Sequence, residues 1–156
     1  MHFVTYKSNN MSKHKVGILD EAKTRIFPLK KIYDMFQQKY QLGNQPQDMQ
    51  SLIEVADDQL IQKLSDLTHK KEIQSSTVML REVMLCAPIP YPRRNVFCVG
   101  KNYLDHVQEL GSDFGDNTSH PVFFSKVAYP AVGDGYEIPS NRGTTAEIDY
   151  EVELAI

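Results

Sequence analysis

The sequence predicts an α+β fold, with a small β-plus-helix module over residues 1–90 and a second, strand-led part over residues 91–156. Three observations predict it. Short β-prone runs open the chain, and two of them flank a polar connection, Asp20 to Lys23, which is a hairpin signal. A central stretch carries apolar residues at helical spacing, the mark of helices that bury one face. The chain then returns to strand patterning and reaches Asp149-Tyr150-Glu151-Val152-Glu153-Leu154-Ala155-Ile156, where acidic and apolar side chains alternate.

Along the chain, His2 to Tyr6 reads as a first strand. Val16 to Leu19 and Thr24 to Phe27 read as the arms of the hairpin, and Pro28 closes the second arm because it cannot donate to a ladder. Lys31 to Tyr40 is expected to be helical, with Ile32, Met35, Phe36 and Tyr40 near one face and Gly43 placed to end it. Pro46 opens the next expected helix, Gln47 to Leu67. Its buried stripe is Met49, Leu52, Ile53, Ala56, Leu60, Leu64 and Leu67, while Glu54, Asp57, Asp58 and Lys63 form a solvated face. Thr68 to Glu72 reads as a charged connector, and Val78 to Leu85 as β-prone without clean alternation. Ala87-Pro88-Ile89-Pro90-Tyr91-Pro92 then forces an extended path, since proline fixes φ and keeps its predecessor out of the helical region. It marks the boundary between the two parts.

Bulk properties exclude several classes. Seventeen Lys and Arg against 20 Asp and Glu give a net charge of -3, which argues against nucleic acid or an anionic membrane as partner. No apolar run is long enough to span a bilayer, and the N-terminus lacks the apolar core of a secretory signal. Cys86 and Cys98 sit apart among apolar neighbours and read as two reduced thiols of a cytoplasmic protein.

The second part is richer in chemistry. Asn95 to Val99 reads as a buried strand ending in Gly100, and Asn102 can cap a short helix, Tyr103 to Leu110. On that helix His106 and Glu109 are three residues apart and share a face. A carboxylate beside an imidazole orients it and makes it a better general base; an ordinary surface pair fits the same spacing. Pro121 to Lys126 reads as a strand ending in a cation, suited to a substrate carboxylate or simply solvated. The glycines of Gly133-Asp134-Gly135 read as backbone punctuation, because no helix follows them to make a phosphate site.

In the last stretch Asp149, Glu151 and Glu153 share one parity, and Ile148, Tyr150, Val152, Leu154 and Ile156 the other. In a strand that parity is a face. Neighbouring carboxylates on one face repel, and a hard divalent cation such as Mg²⁺, Mn²⁺ or Ca²⁺ would relieve them. An exposed acidic face on an amphipathic strand fits the alternation equally.

The ordered run NVFCVGKNYLDHVQEL, PVFFSK, AVGDGYEIP and EIDYEVELAI, from Asn95 to Ile156, resembles the opening of the fumarylacetoacetate hydrolase family's catalytic domain. Its pieces match in order: a strand ending in G-x-N-Y, an H-x-x-E helix, an F-x-K strand, a G-x-G turn, a proline and a D-Y-E-x-E-L strand. The resemblance implies a mixed β-roll, of which residues 91–156 would be the beginning. It implies that Glu151 and Glu153 ligate a divalent cation (Mg, Mn or Ca), that His106 and Glu109 activate water under a closing lid, and that Tyr103 and Lys126 lie near the substrate. Asp149 matches a frequent family residue that is not a ligand. The implied reaction is metal-dependent hydrolysis of a carbon–carbon bond in a 1,3-dicarbonyl or acylpyruvate-type substrate, by a cytoplasmic homodimer. Oxaloacetate decarboxylation and keto–enol isomerisation, performed by other members, use the same enolate chemistry. The family's third acidic ligand falls beyond Ile156, so the sequence reads as a fragment of a longer protein or a truncated product. The alternative is a catalytically incomplete piece that serves as a folding or interaction module.

Overall fold

The computed structural model describes residues 1–9, 12–100, 120–140, 143–148 and 152–154. The protein is α+β, as the sequence predicts. Its main sheet contains β1 (His2–Ser8), β2 (Lys15–Leu19), β3 (Arg25–Pro28), β4 (Val78–Met79) and β5 (Val83–Leu85), in the order β4-β3-β2-β1-β5. Every pairing in it is antiparallel. The expected hairpin is β2–β3, with Ile18 opposite Phe27 and Leu19 opposite Ile26. Asp20 organises its turn: its carboxylate accepts from the backbone N–H groups of Thr24 and Arg25 and from the Thr24 hydroxyl and Arg25 Nε.

Four helices follow β3: α1 (Leu29–Tyr40), α2 (Met49–Val55), α3 (Asp58–Thr68) and α4 (Lys71–Gln74). They bury one face against one side of the sheet. The core joins Val16, Ile18 and Phe27 of the strands to Leu29, Ile32, Tyr33, Phe36, Met49, Leu52, Leu60, Leu64, Leu67 and Ile73 of the helices. Fully burying a Leu or Ile side chain contributes roughly 1.5–3 kcal/mol, so this cluster is the main source of stability in the module.

The single helix expected over Gln47–Leu67 is two. Ala56 is extended (φ -71°, ψ 120°), and Asp57 caps α3 by accepting from Leu60 N at 2.7 Å. An aspartate that can bond the backbone competes with helix continuation, so Asp57 ends one helix and starts the next instead of lining a solvated face. Asp48 starts α2 with a capping box shared with Ser51, two residues later than Pro46 suggests. Gln41, at φ 51°, takes the left-handed cap of α1 that Gly43 was expected to supply. The connector expected at Thr68–Glu72 contains the start of α4, and Leu80–Glu82 forms a 3₁₀ turn between β4 and β5.

The proline segment is docked, not free. Thr5 N and O lie in β1, and its carbonyl accepts from Cys86 N at 2.9 Å while its hydroxyl donates to Pro88 O at 2.6 Å. Thr5 is 3% exposed. Beyond the segment, β6 (Val96–Gly100) and β7 (Val122–Lys126) form a separate two-stranded antiparallel ribbon.

Candidate active site

Val96, Phe97, Cys98 and Val99 form β6 because β-branched and aromatic side chains suit an extended backbone. The register sets Val96 opposite Lys126, Cys98 opposite Phe124 and Gly100 opposite Val122. Alternation then gives two faces, one with Phe97, Val99, Phe123 and Ser125, the other with Val96, Cys98, Val122, Phe124 and Lys126. Apart from Ser125 and Lys126 at the end of β7, both faces are apolar, the pattern of strands buried on two sides. Phe97 is 76% exposed and Phe123 65% exposed in this structure.

Lys126 ends β7, with its ammonium 5.6 Å from the Phe124 ring centroid. Its register partner Val96 is four residues from Gly100, about 13 Å along the strand at the usual rise. The chain leaves β6 at Gly100 toward the stretch that carries Tyr103, His106 and Glu109. Lys126 therefore sits at the far end of the ribbon from the point where that stretch begins. Tyr103, His106, Glu109 and Glu151 lie outside the described residues, as does Asp149.

Glu153 is described and exposed. The strand expected over the acidic stretch is not formed across residues 152–154, and Val152 and Leu154 are each 83% exposed. A strand exists only through a hydrogen-bonded neighbour, and among the described residues none pairs with this segment. No group of three or more His, Cys, Asp or Glu side chains able to hold a metal ion occurs among the described residues. No helix among them is long and apolar enough to cross a membrane.

Two of the clefts lined by described residues are large enough for a small molecule. One, of about 500 Å³, lies beside the β2–β3 hairpin and the end of α3, and is lined by residues including His2, Asp20, Arg25, Phe27 and His69. The other, of about 580 Å³, lies at the start of β6 between Arg93, Arg94, Asn95, Phe97, Ser125 and Tyr129. Arg93 Nη1 is tied to Glu54 Oε1 at 2.5 Å. The adjacent arginines after the proline segment are the signal in the sequence for this second cleft.

Gly133 and Gly135 act as backbone punctuation, in keeping with their reading. Gly135 adopts φ 75°, which favours glycine. Gly133 lies against the backbone of Leu85 and Cys86, where a Cβ would come within 2.5 Å of Leu85 O and 2.6 Å of Cys86 Cα.

Residues 95–156 match the family described as "Fumarylacetoacetate (FAA) hydrolase C-terminal", and the match supports membership of that family over this part of the chain. It is 44% identical over 85 residues to oxaloacetate tautomerase YisK of Bacillus subtilis, covering 54% of this chain and 28% of that protein. It is 39% identical over 78 residues to the human mitochondrial oxaloacetate tautomerase FAHD2B, covering 48% of this chain and 22% of that protein. An uncharacterized protein of Staphylococcus saprophyticus is 33% identical over 79 residues, covering 51% of this chain and 25% of its own length. The matched stretch thus spans about a quarter of each of these relatives.

Proposed function

We propose that the intact protein is a divalent-cation-dependent enzyme of enolate chemistry, acting on a small 1,3-dicarbonyl or keto-acid substrate. Keto–enol tautomerisation of an oxaloacetate-like keto acid is the favoured reaction. The observation that carries this reading is the 44% identity to a protein named oxaloacetate tautomerase, joined by a second relative of that name at 39%. Carbon–carbon hydrolysis of an acylpyruvate is the second reading, favoured by the family's own description.

The donor chemistry fits a hard cation. Glu151 and Glu153 offer only oxygen, which suits Mg²⁺, Mn²⁺ or Ca²⁺. When bound there, the ion would polarise the substrate's carbonyl oxygens and favour the enolate. His106 is the general base: its imidazole takes a proton from the carbon between the two carbonyls and returns it to oxygen. Glu109, three residues on in the sequence, orients that imidazole and raises its basicity. Tyr103 and Lys126 supply a hydroxyl and an ammonium as donors for the substrate's carboxylate. In the hydrolytic reading the same imidazole takes its proton from water. The hydroxide adds to the distal carbonyl, the carbon–carbon bond breaks, and the leaving enolate takes up a proton. The working unit is a cytoplasmic homodimer.

The test assays the full-length protein on oxaloacetate tautomerisation and acylpyruvate hydrolysis, with Mg²⁺ or Mn²⁺ and with a chelator. Chelation is expected to abolish turnover, and His106→Ala and Glu153→Gln to lower kcat by about two orders of magnitude, the scale of acid–base and electrostatic contributions. Undiminished turnover in both variants sinks the assignment. Hydrolysis without tautomerisation selects the second reading. Light scattering on the same preparation reads the dimer.

A further inference from the structure

The segment after β7 is held by the N-terminal module. Tyr129 packs its ring on Tyr91 of the proline segment, with centroids 5.3 Å apart, and Tyr91 in turn meets His14 edge-on at 5.5 Å. Two residues on, Ala131 N donates to Pro90 O at 2.9 Å. Two residues further, Gly133 sits on the end of β5 so closely that a Cβ would lie 2.5 Å from Leu85 O, 2.6 Å from Cys86 Cα and 2.8 Å from the Cys86 carbonyl carbon. All three of those atoms are backbone, so no side-chain rotation makes room. The backbone beneath is itself fixed, because Cys86 N and Pro88 O are both bonded to buried Thr5 of β1.

From β1 through the proline segment to Gly133, the contacts form one continuous tie. Phe97 and Phe123 of the ribbon, by contrast, stand exposed. The segment that leads from β7 toward the acidic stretch is positioned by the N-terminal sheet.

We infer that Gly133 is a positioning residue: its missing side chain lets the Tyr129–Gly135 segment clasp the Leu85–Pro90 edge, so that the N-terminal module anchors the start of the segment that precedes the acidic stretch. The clasp stands on the geometry alone, whereas its catalytic consequence rests on the proposed enolate reading. This makes the N-terminal module part of the catalytic machinery's scaffold. Its removal, or a single methyl group at Gly133, acts on the reaction without touching substrate.

The experiment compares wild type, Gly133→Ala and Tyr91→Leu in the full-length protein. Tyr91 is half-exposed, so its variant keeps the test open if Gly133→Ala does not fold. Amide exchange reads the Ala131 N–H, and a thiol reagent reads Cys86, with Cys86→Ser to assign the signal. In wild type the Ala131 amide is expected to be protected. In Gly133→Ala that protection falls, and Cys86 labels at least fivefold faster, while the amides of β1 and β2 stay protected. Tyr91→Leu is expected to move both readouts in the same direction by a smaller factor. Wild-type exchange and labelling in both variants overturn the clasp. In the activity arm, at least a tenfold loss of kcat with KM little changed supports positioning, and full kcat in a variant whose clasp has opened overturns it. A wild-type enzyme with no activity would overturn the enolate reading instead, and with it the catalytic consequence, leaving exchange and labelling to decide the clasp.

Discussion

The hydroxyl of Thr5 donates to the carbonyl of Pro88 at 2.6 Å, across 83 residues of sequence. Proline removes the N–H that would let this segment join the sheet as an ordinary strand. A buried side-chain hydroxyl takes over that work and fixes the segment to β1. Replacing Thr5 by Val keeps the shape, removes the donor and leaves the Pro88 carbonyl short of a partner. The expected cost is about 1–3 kcal/mol, read as a lower urea midpoint with an unchanged slope. Thr5→Ser, which keeps the hydroxyl, should recover most of it. A Val variant as stable as wild type would show that the bond contributes nothing.

Gly17 supports a second prediction. It lies in the middle of β2, where glycine ordinarily weakens a strand. Here a Cβ would collide with Ile26 Cγ2 and come within 3.0 Å of Phe27 O and 3.2 Å of Tyr6 Cε1. Ile26 and Tyr6 are buried, so neither can swing into solvent. Gly17→Ala is expected to destabilise by about 1–3 kcal/mol, the usual range for overpacking. Ile26→Leu removes the Cγ2 branch, so the pair should be less destabilised than the sum of the two single changes. Simple additivity in thermal or chemical unfolding would place the strain elsewhere.

How much was legible depended on whether the controlling interaction was local. The β2–β3 hairpin was readable because its turn and both arms lie within one short stretch, and α1 because its stripe repeats without interruption. The helix break at Ala56–Asp57 was not, because the apolar stripe runs straight through it. Only the bond from Leu60 N to the Asp57 carboxylate reveals which role that aspartate takes. Asp57→Ala should therefore lower stability by about 0.5–2 kcal/mol, the range for a lost N-cap, where a solvated-face aspartate would change it little. In the second part, motif order was legible without geometry. The family match over residues 95–156 agrees with it, while the placement of Lys126 opposite Val96 and the tie at Gly133 depend on pairings distant in sequence.

Acid should weaken the N-terminal module through two aspartates, one in the β2–β3 turn and one at the cap of α2. Burial alone would raise the Asp20 carboxyl, but the N–H groups of Arg25 and Thr24, the Thr24 hydroxyl and the Arg25 side chain outweigh it and hold it below the ordinary value of 3.8. Asp48 is lowered first by the Ser51 N–H, then by the Ser51 hydroxyl, with burial opposing and the Arg93 guanidinium assisting. A carboxylate whose pKa is lower in the folded than in the unfolded chain stabilises the fold in its ionised form. That contribution is whole above the ordinary aspartate value and disappears as pH falls through the depressed values. Asp20→Asn and Asp48→Asn each retain one acceptor oxygen but abolish the charge. Each should lower stability at neutral pH, and the double variant should lose less on acidification from about pH 5 to about pH 2 than wild type does, because the linked protons are gone. Unfolding measured across that range provides the check. Parallel curves for wild type and double variant would mean that acid sensitivity arises at other carboxylates, and that the turn at Asp20 and the cap at Asp48 hold equally well without charge.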